Sequence, residues 1–263
     1  MQHFFVDRSA LLGNKIIITG EDVNHIKNVL RMKIGEEISV GNGEDDNEYR
    51  CEIESIEEDK VICNLLFIKE SGVELPAEVY LFQGLPKNDK MELIIQKAVE
   101  LGVCHIVPVA TKRAVVKLDD KKAKSKVIRW QAISEAAAKQ SQRAVIPKVH
   151  DVMTFKEAVN FVGNFESKVI PYELSHGMDE TKRWISKVSD DIYSLKEKGE
   201  KDNINAYYKI AIFIGPEGGF DENEIEIAKG AGVMPISLGR RILRTETAGM
   251  TTLSILMYSL EII

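Results

Sequence analysis

Two glycine-bearing stretches near the end of the chain hold the residue types best suited to chemistry. The first, FIGPEGGF (Phe213–Phe220), sets Gly215, Gly218 and Gly219 around Pro216 and Glu217, directly after the apolar run of Ile214 and its neighbours. Glycine tolerates positive φ and lets a ligand approach the main chain, and proline stiffens the turn. Such a loop reads as a tight strand–helix connection or as a binding loop, and three glycines favour binding. The run does not follow GxxxxGK[ST] or GxGxxG, and Glu217 would repel a phosphate. A carboxylate at this point suits a ligand with positive charge or hydrogen-bond donors, and S-adenosylmethionine carries both a sulfonium and an ammonium.

The second stretch is SLGRRILRTETAGM (Ser237–Met250). Gly239 follows a predicted strand end. Ile242 and Leu243 place apolar side chains in a loop, where they can sandwich a flat ring or staple the start of a helix. Thr245 or Thr247 can cap that helix. Arg240, Arg241 and Arg244 cluster beside the glycine and point to an anion or a nucleic acid. Between Thr111 and Lys148 there are eleven Lys/Arg against three acids, although the whole chain has net charge -6. A local basic surface binds phosphates whatever the global charge, while Lys121 to Lys126 read equally as a solvated helix face. Arg113 and Arg143 flank this cluster, and arginine can fork onto phosphate.

These loops need a scaffold. From residue 79 onward, predicted strands and helices alternate. Strand 79–83 precedes a helix with Asn88 or Asp89 as cap and Gly102 as stop. Strand 105–110, a long helix over about 120–141, and strands 167–172, 209–215 and 233–239 follow. Asp221 with Glu224 three residues on predicts a capping box, and a final helix closes the chain. This rhythm implies a parallel sheet covered on both faces. Residues 1–72 differ. They read as short strands at 15–19, within 37–53 and at 60–68, with one helix at 21–30 whose Val23, Ile26, Val29 and Leu30 share a face. The division predicted is therefore 1–72 and 73–263. The charged segment 194–208 fits neither pattern and reads as a mobile surface insertion.

With 263 residues, 44% hydrophobic and 29% charged, the composition is that of a globular protein. Cys51, Cys63 and Cys104 are odd in number and contain no CxxC pair, which predicts no disulfide framework and fits a reducing cytoplasm. No signal peptide, transmembrane run or HExxH-like metal motif is read, so neither a membrane nor a metal partner is expected.

FIGPEGGF followed by SLGRRILRTETA resembles the signature of the small-subunit (16S) ribosomal RNA uridine N3-methyltransferases, which belong to the SPOUT class. The resemblance extends to KNDKMELIIQKAVELGV, TKRAVV and SEAAAKQSQRAVIP. It reaches the first domain through HIKNVLRMKIGEEISVGNG, which is similar to a PUA-like RNA-binding module. It implies a PUA-like β-barrel followed by an α/β methyltransferase domain with a C-terminal trefoil knot, acting as a homodimer on ribosomal RNA or the small ribosomal subunit. It implies a cofactor site for S-adenosylmethionine at Pro171, Tyr172, Glu173, Ile214, Gly215, Pro216, Gly218, Gly219, Ser237, Leu238, Gly239, Ile242, Leu243, Thr245, Thr247 and Ala248. Arg244, Arg143 (from a partner subunit) and Glu217 are the catalytic candidates, with Glu246 a further nominal base. Arg8, His25, Arg31 and Arg113 are the RNA contacts. A methyltransferase of the same class acting on tRNA or large-subunit RNA, a non-catalytic RNA-binding protein and a nucleotide-phosphate enzyme are the alternatives.

Overall fold

The computed structural model describes residues 1–173, 177–197 and 208–261, in two compact units. One comprises residues 1–74 with 138–146, the other 75–137 with 147–261 of the described chain. A linear cut near residue 72 misses the short return segment 138–146, because no periodicity marks a nine-residue excursion into another core.

In the first unit the strands β1 (His3–Phe5), β2 (Leu11–Leu12), β3 (Lys15–Thr19), β4 (Glu37–Gly41), β5 (Asn47–Ile56) and β6 (Lys60–Glu70) form one sheet in the order β1-β4-β5-β6-β3-β2. Among these strands only β1 and β4 run parallel. Alternating side chains such as Ile16, Ile18, Ile38 and Ile53 fill its core. Cys51 and Cys63 lie in that core too, and burial pushes both thiols up to about 12. The helix predicted at 21–30 is α1 (Glu21–Asn24) running into a π turn (His25–Val29), closed by Leu30 N–H donating to the His25 carbonyl at 2.8 Å. The wider turn changes the angular step per residue. Val23 and Ile26 are buried as expected, but Val29 is rotated out to solvent.

In the second unit β7 (Glu78–Gly84), β8 (His105–Ala110), β10 (Met153–Thr154), β11 (Ser167–Pro171), β12 (Lys209–Ile214) and β13 (Met234–Ile236) form a sheet in the order β10-β8-β7-β12-β11-β13, with β9 (Lys148–Val149) against β8. Every pairing is parallel. The connecting helices are α2 (Lys90–Glu100), α3 (Asp120–Gln140), α4 (Phe155–Phe161), α5 (Asp179–Glu197), α6 (Glu222–Gly230) and α7 (Thr245–Glu261), α3 crossing from the second unit into the first. Strands this apolar suit a sheet buried on both faces, and Phe82 stacks on Phe213 at 4.5 Å between ring centroids.

The capping box of Asp221 and Glu224 forms as predicted. Asp89 stands at the N-cap of α2 but makes no side-chain cap bond, and Asn88 instead takes a positive φ of 55°. The surface-insertion reading of 194–208 is corrected at both ends. Residues 194–197 continue α5, and Tyr208 is buried with its hydroxyl donating to Asp191 at 2.9 Å; residues 198–207 lie outside the described chain. Among the described residues no helix is long and apolar enough to cross a membrane, and no group of three or more His, Cys, Asp or Glu could hold a metal.

Candidate active site

The strands β12, β11 and β13 are neighbours in the sheet, so their carboxyl-terminal ends bring three loops together. This is where open α/β sheets hold ligands. The loops enclose a cavity of about 490 Å³, within the ordinary range for a small-molecule site. Of the sixteen cofactor candidates, Pro171, Tyr172, Glu173, Ile214, Gly215, Pro216, Gly219, Ser237, Leu238, Gly239, Ile242, Leu243, Thr245 and Ala248 line it.

Two candidates do not line it. Gly218 faces away, since a Cβ there would come within 3.1 Å of the Cβ and carbonyl oxygen of Arg113. Thr247 points to solvent from the first turn of α7. Thr245 is no helix cap either. Its hydroxyl donates to the Gly215 carbonyl at 2.6 Å, which joins the two loops to each other.

The glycine loop is also held from β7. A Cβ on Gly84 would sit 2.6 Å from Pro216 Cδ, so the strand end and the loop touch backbone to backbone. Both Glu217 carboxylate oxygens accept from the Lys87 main-chain N–H at 3.2 Å. Lys90, at the start of α2, bridges Glu217 (3.1 Å) and Glu246 (3.2 Å) and lines the cavity itself. Burial alone would raise the Glu217 carboxyl, but main-chain N–H groups at Glu217 and Lys87, with the Lys90 ammonium, outweigh it and hold it below its ordinary range. Sequence reading misses Lys90 and Gly84. The one signal that could have found the lysine is its place in a helical first turn, where the dipole disfavours a cation.

Arg240, Arg241 and Arg244 are exposed at the cavity rim, and Ile242 between them is 86% exposed. An isoleucine so open is a poor wall for a flat ring, and Leu243, half-buried, is the better one. Arg113 lies against the glycine loop, with Nη1 3.5 Å from the Gly218 carbonyl and Nε 3.8 Å from Asp221.

Arg143 departs from its predicted place. It belongs to the first unit, is 3% exposed, and its guanidinium forks onto the Glu74 carboxylate, with Nε at 3.0 Å from each oxygen. Glu74 also accepts from the Ala144 N–H at 3.0 Å. A buried guanidinium already paired with a carboxylate is not presented to a substrate, so a catalytic role for Arg143 has no support in this geometry. In the same unit Arg8 and His25 are exposed, His25 lying edge-on to Phe4 at 6.4 Å. Arg31 is exposed at φ 53° and terminates the π turn, with Met32 N–H donating to the Ile26 carbonyl at 3.0 Å.

Comparison with known proteins matches residues 73–257 to an RNA methyltransferase domain and residues 18–66 to an RNA methyltransferase PUA domain. The chain is 42% identical over 246 residues to the ribosomal RNA small subunit methyltransferase E of Bacillus subtilis, covering 94% of this chain and 91% of the relative. It is 33% identical to the protein of the same name from Mesomycoplasma hyopneumoniae, covering 97% and 98%. A crystal structure of the Neisseria gonorrhoeae ribosomal RNA small subunit methyltransferase E, bound to S-adenosyl methionine, superposes with a TM-score of 0.78 at 27% identity, covering 97% of this chain and 95% of that one.

Proposed function

This chain belongs to the RNA methyltransferase family that contains the ribosomal RNA small subunit methyltransferases E, and we propose that it methylates N3 of a uridine in small-subunit (16S) ribosomal RNA. It is a methyltransferase acting on ribosomal RNA with S-adenosylmethionine as cofactor. The observation that carries the finer reading is the meeting of two loops rich in glycine, carboxylate and arginine around one cavity at the ends of adjacent parallel strands.

The residues present fit the cofactor. Main chain at Gly215, Gly219 and Gly239 borders the cavity, Glu173 and Glu217 offer negative charge to a sulfonium and an ammonium, and Ile214, Leu238 and Leu243 offer apolar wall to a flat ring. When bound, S-adenosylmethionine supplies an electrophilic methyl group. The task left to the chain is to position the base and to stabilise the charge that develops on it. Uridine N3 becomes nucleophilic as its proton leaves, and negative charge then spreads over the two flanking carbonyl oxygens. Arg244, exposed on the cavity side of the α7 start, is the guanidinium suited to stabilise it. A carboxylate held below its ordinary range is a weak base, so Glu217 is assigned to loop and cofactor, and water at the open rim accepts the proton. Glu246, drawn onto Lys90, is assigned the same way. Arg143 is assigned to folding of the first unit.

Arg8, His25 and Arg31 in the first unit, Arg113 against the glycine loop at Gly218, and Arg240 and Arg241 at the cavity rim supply phosphate contacts. A homodimer is what the family resemblance implies. The sheet order, with β11 between β12 and β13, supports the trefoil threading that the family resemblance implies. A ribosomal RNA target fits a cytoplasmic setting.

The test is transfer of label from S-adenosylmethionine to purified small-subunit particles, large-subunit particles and tRNA. Label confined to the small subunit is expected. Label in tRNA or the large subunit would overturn the choice of substrate. Within the site, Glu217→Gln is expected to weaken cofactor binding about tenfold in calorimetry.

A further inference from the structure

Gln83 is the one amide in the apolar run VYLFQG that forms β7, and it is completely buried. Its register neighbours are Ile214 on β12 and Pro108 on β8. Nothing in those surroundings calls for an amide, so its hydrogen bonds say what it is for.

Both N–H groups of the Gln83 amide are used. One donates to the Gly84 carbonyl at 2.9 Å and the other to Thr245 Oγ1 at 2.8 Å. Thr245 in turn donates its hydroxyl to the Gly215 carbonyl at 2.6 Å. The result is a directed chain from β7, through the first residue of α7, to the glycine loop. Thr245 and Gly215 both line the cofactor cavity, and Gln83 does not. The amide oxygen, Oε1, is buried and has no hydrogen-bond partner among the described residues. A buried polar atom left unmatched is a cost, and an apolar side chain would avoid it. The amide is therefore explained by its two donors.

The direction of the chain also excludes a substitute. A glutamate has no N–H to give, so Thr245 would have to turn its hydroxyl toward the carboxylate and abandon Gly215. A methionine of similar length gives nothing to Thr245 at all. A side chain that donates to Thr245 Oγ1 orients that hydroxyl while leaving its own proton for the Gly215 carbonyl, and the second N–H, on the Gly84 carbonyl, holds the amide in that orientation.

We propose that Gln83 is a positioning residue for the cofactor: through Thr245 it fixes the glycine loop and the start of α7 at the spacing the cofactor requires. The proposal rests on the reading of the cavity as the S-adenosylmethionine site.

The test uses the full-length chain and compares Gln83→Met, Thr245→Val and the double variant, with cofactor affinity by calorimetry, RNA affinity by filter binding and thermal unfolding. Each single variant is expected to bind cofactor about tenfold more weakly, with RNA affinity unchanged. The double variant is expected to lose no more than the worse single one, because both break one chain. A role in stability alone would lower the unfolding temperature and leave cofactor affinity of the folded protein intact, which overturns the proposal. So do strictly multiplicative losses in the double variant. If Gln83→Met does not fold, Thr245→Val breaks the second link, and unchanged cofactor affinity in that variant overturns the proposal as well. An unmodified chain that binds cofactor while Gln83→Met matches it overturns the positioning role of Gln83 and leaves the function standing. An unmodified chain that binds none overturns both.

Discussion

Two arginine-bearing segments, one around Arg143 in the first unit and one around Arg244 in the other, are alike in sequence, since each sets arginine beside polar and small residues. In the structure they are opposites. Arg143 is buried and forked onto Glu74, with the neighbouring main chain gathered onto the same carboxylate. Arg244 is exposed with Arg240 and Arg241 around a cavity. A guanidinium whose charge is already answered inside the fold holds structure. One that faces an opening is available to charge arriving from outside. Residue type gives the capability, and the partner decides its use.

The largest difference between the two arginines lies in stability. Arg143→Met strands a buried carboxylate and is expected to cost about 3–5 kcal/mol in denaturant unfolding. The turnover of the protein that remains folded should be unaffected. A loss of turnover at full stability would return Arg143 to the active site. Arg244→Ala is expected to do the reverse, lowering turnover about 10²–10³-fold with little change in cofactor affinity or unfolding midpoint. Equal losses of turnover and cofactor affinity would make it a binding residue.

Arg31 tests the same contrast on a smaller scale, because it combines an exposed cation with a strained backbone. Arg31→Gly is expected to raise stability by about 0.5–1 kcal/mol through relief of its positive φ. RNA affinity should fall and its salt dependence flatten. Unchanged RNA binding would leave Arg31 with a helix-ending role alone.

The smallest effect lies at the other end of the parallel sheet. There Glu78 is answered by His105 at 2.7 Å, Tyr80 at 2.9 Å and Lys209 at 3.3 Å, and His150 Nε2 lies 3.0 Å from His105 Nδ1. Burial, then the charges of His105 and Lys148, lowers His150 to about 4, so it is neutral when folded and titrates near its ordinary value of 6.5 when unfolded. The unfolded chain binds the extra proton between these values, so stability is full above about pH 6.5 and declines as pH falls toward about 4. The unfolding temperature of His150→Gln is expected to be less sensitive to pH across that window. An identical pH profile in the two proteins would show that His150 does not govern it.

The alternation of strands and helices, the capping box and the two glycine loops were legible because each is local: composition over a few residues dictates turn, cap or strand. The cluster of Glu78, His105 and His150 was not, because only the register of β7 with β8 and β9 brings those residues together. Lys90 and Gln83 were hidden for the same reason. Their partners, Glu217, Glu246 and Thr245, lie more than a hundred residues away. Val29 failed differently, since a π turn inside a short helix leaves no trace in the spacing of apolar residues. The pairing of Arg143 with Glu74 depends on a return of the chain to the first core that no local pattern announces.

Uridine N3 methylation of small-subunit ribosomal RNA is open to one direct measurement. The full-length protein is incubated with S-adenosylmethionine and small subunits lacking the modification, the RNA is digested, and nucleosides are identified by mass spectrometry. New 3-methyluridine is expected, formed far more slowly by Arg244→Ala and at the unmodified rate by folded Arg143→Met. A different methylated nucleoside, or none despite measured cofactor binding, would contradict the proposed function.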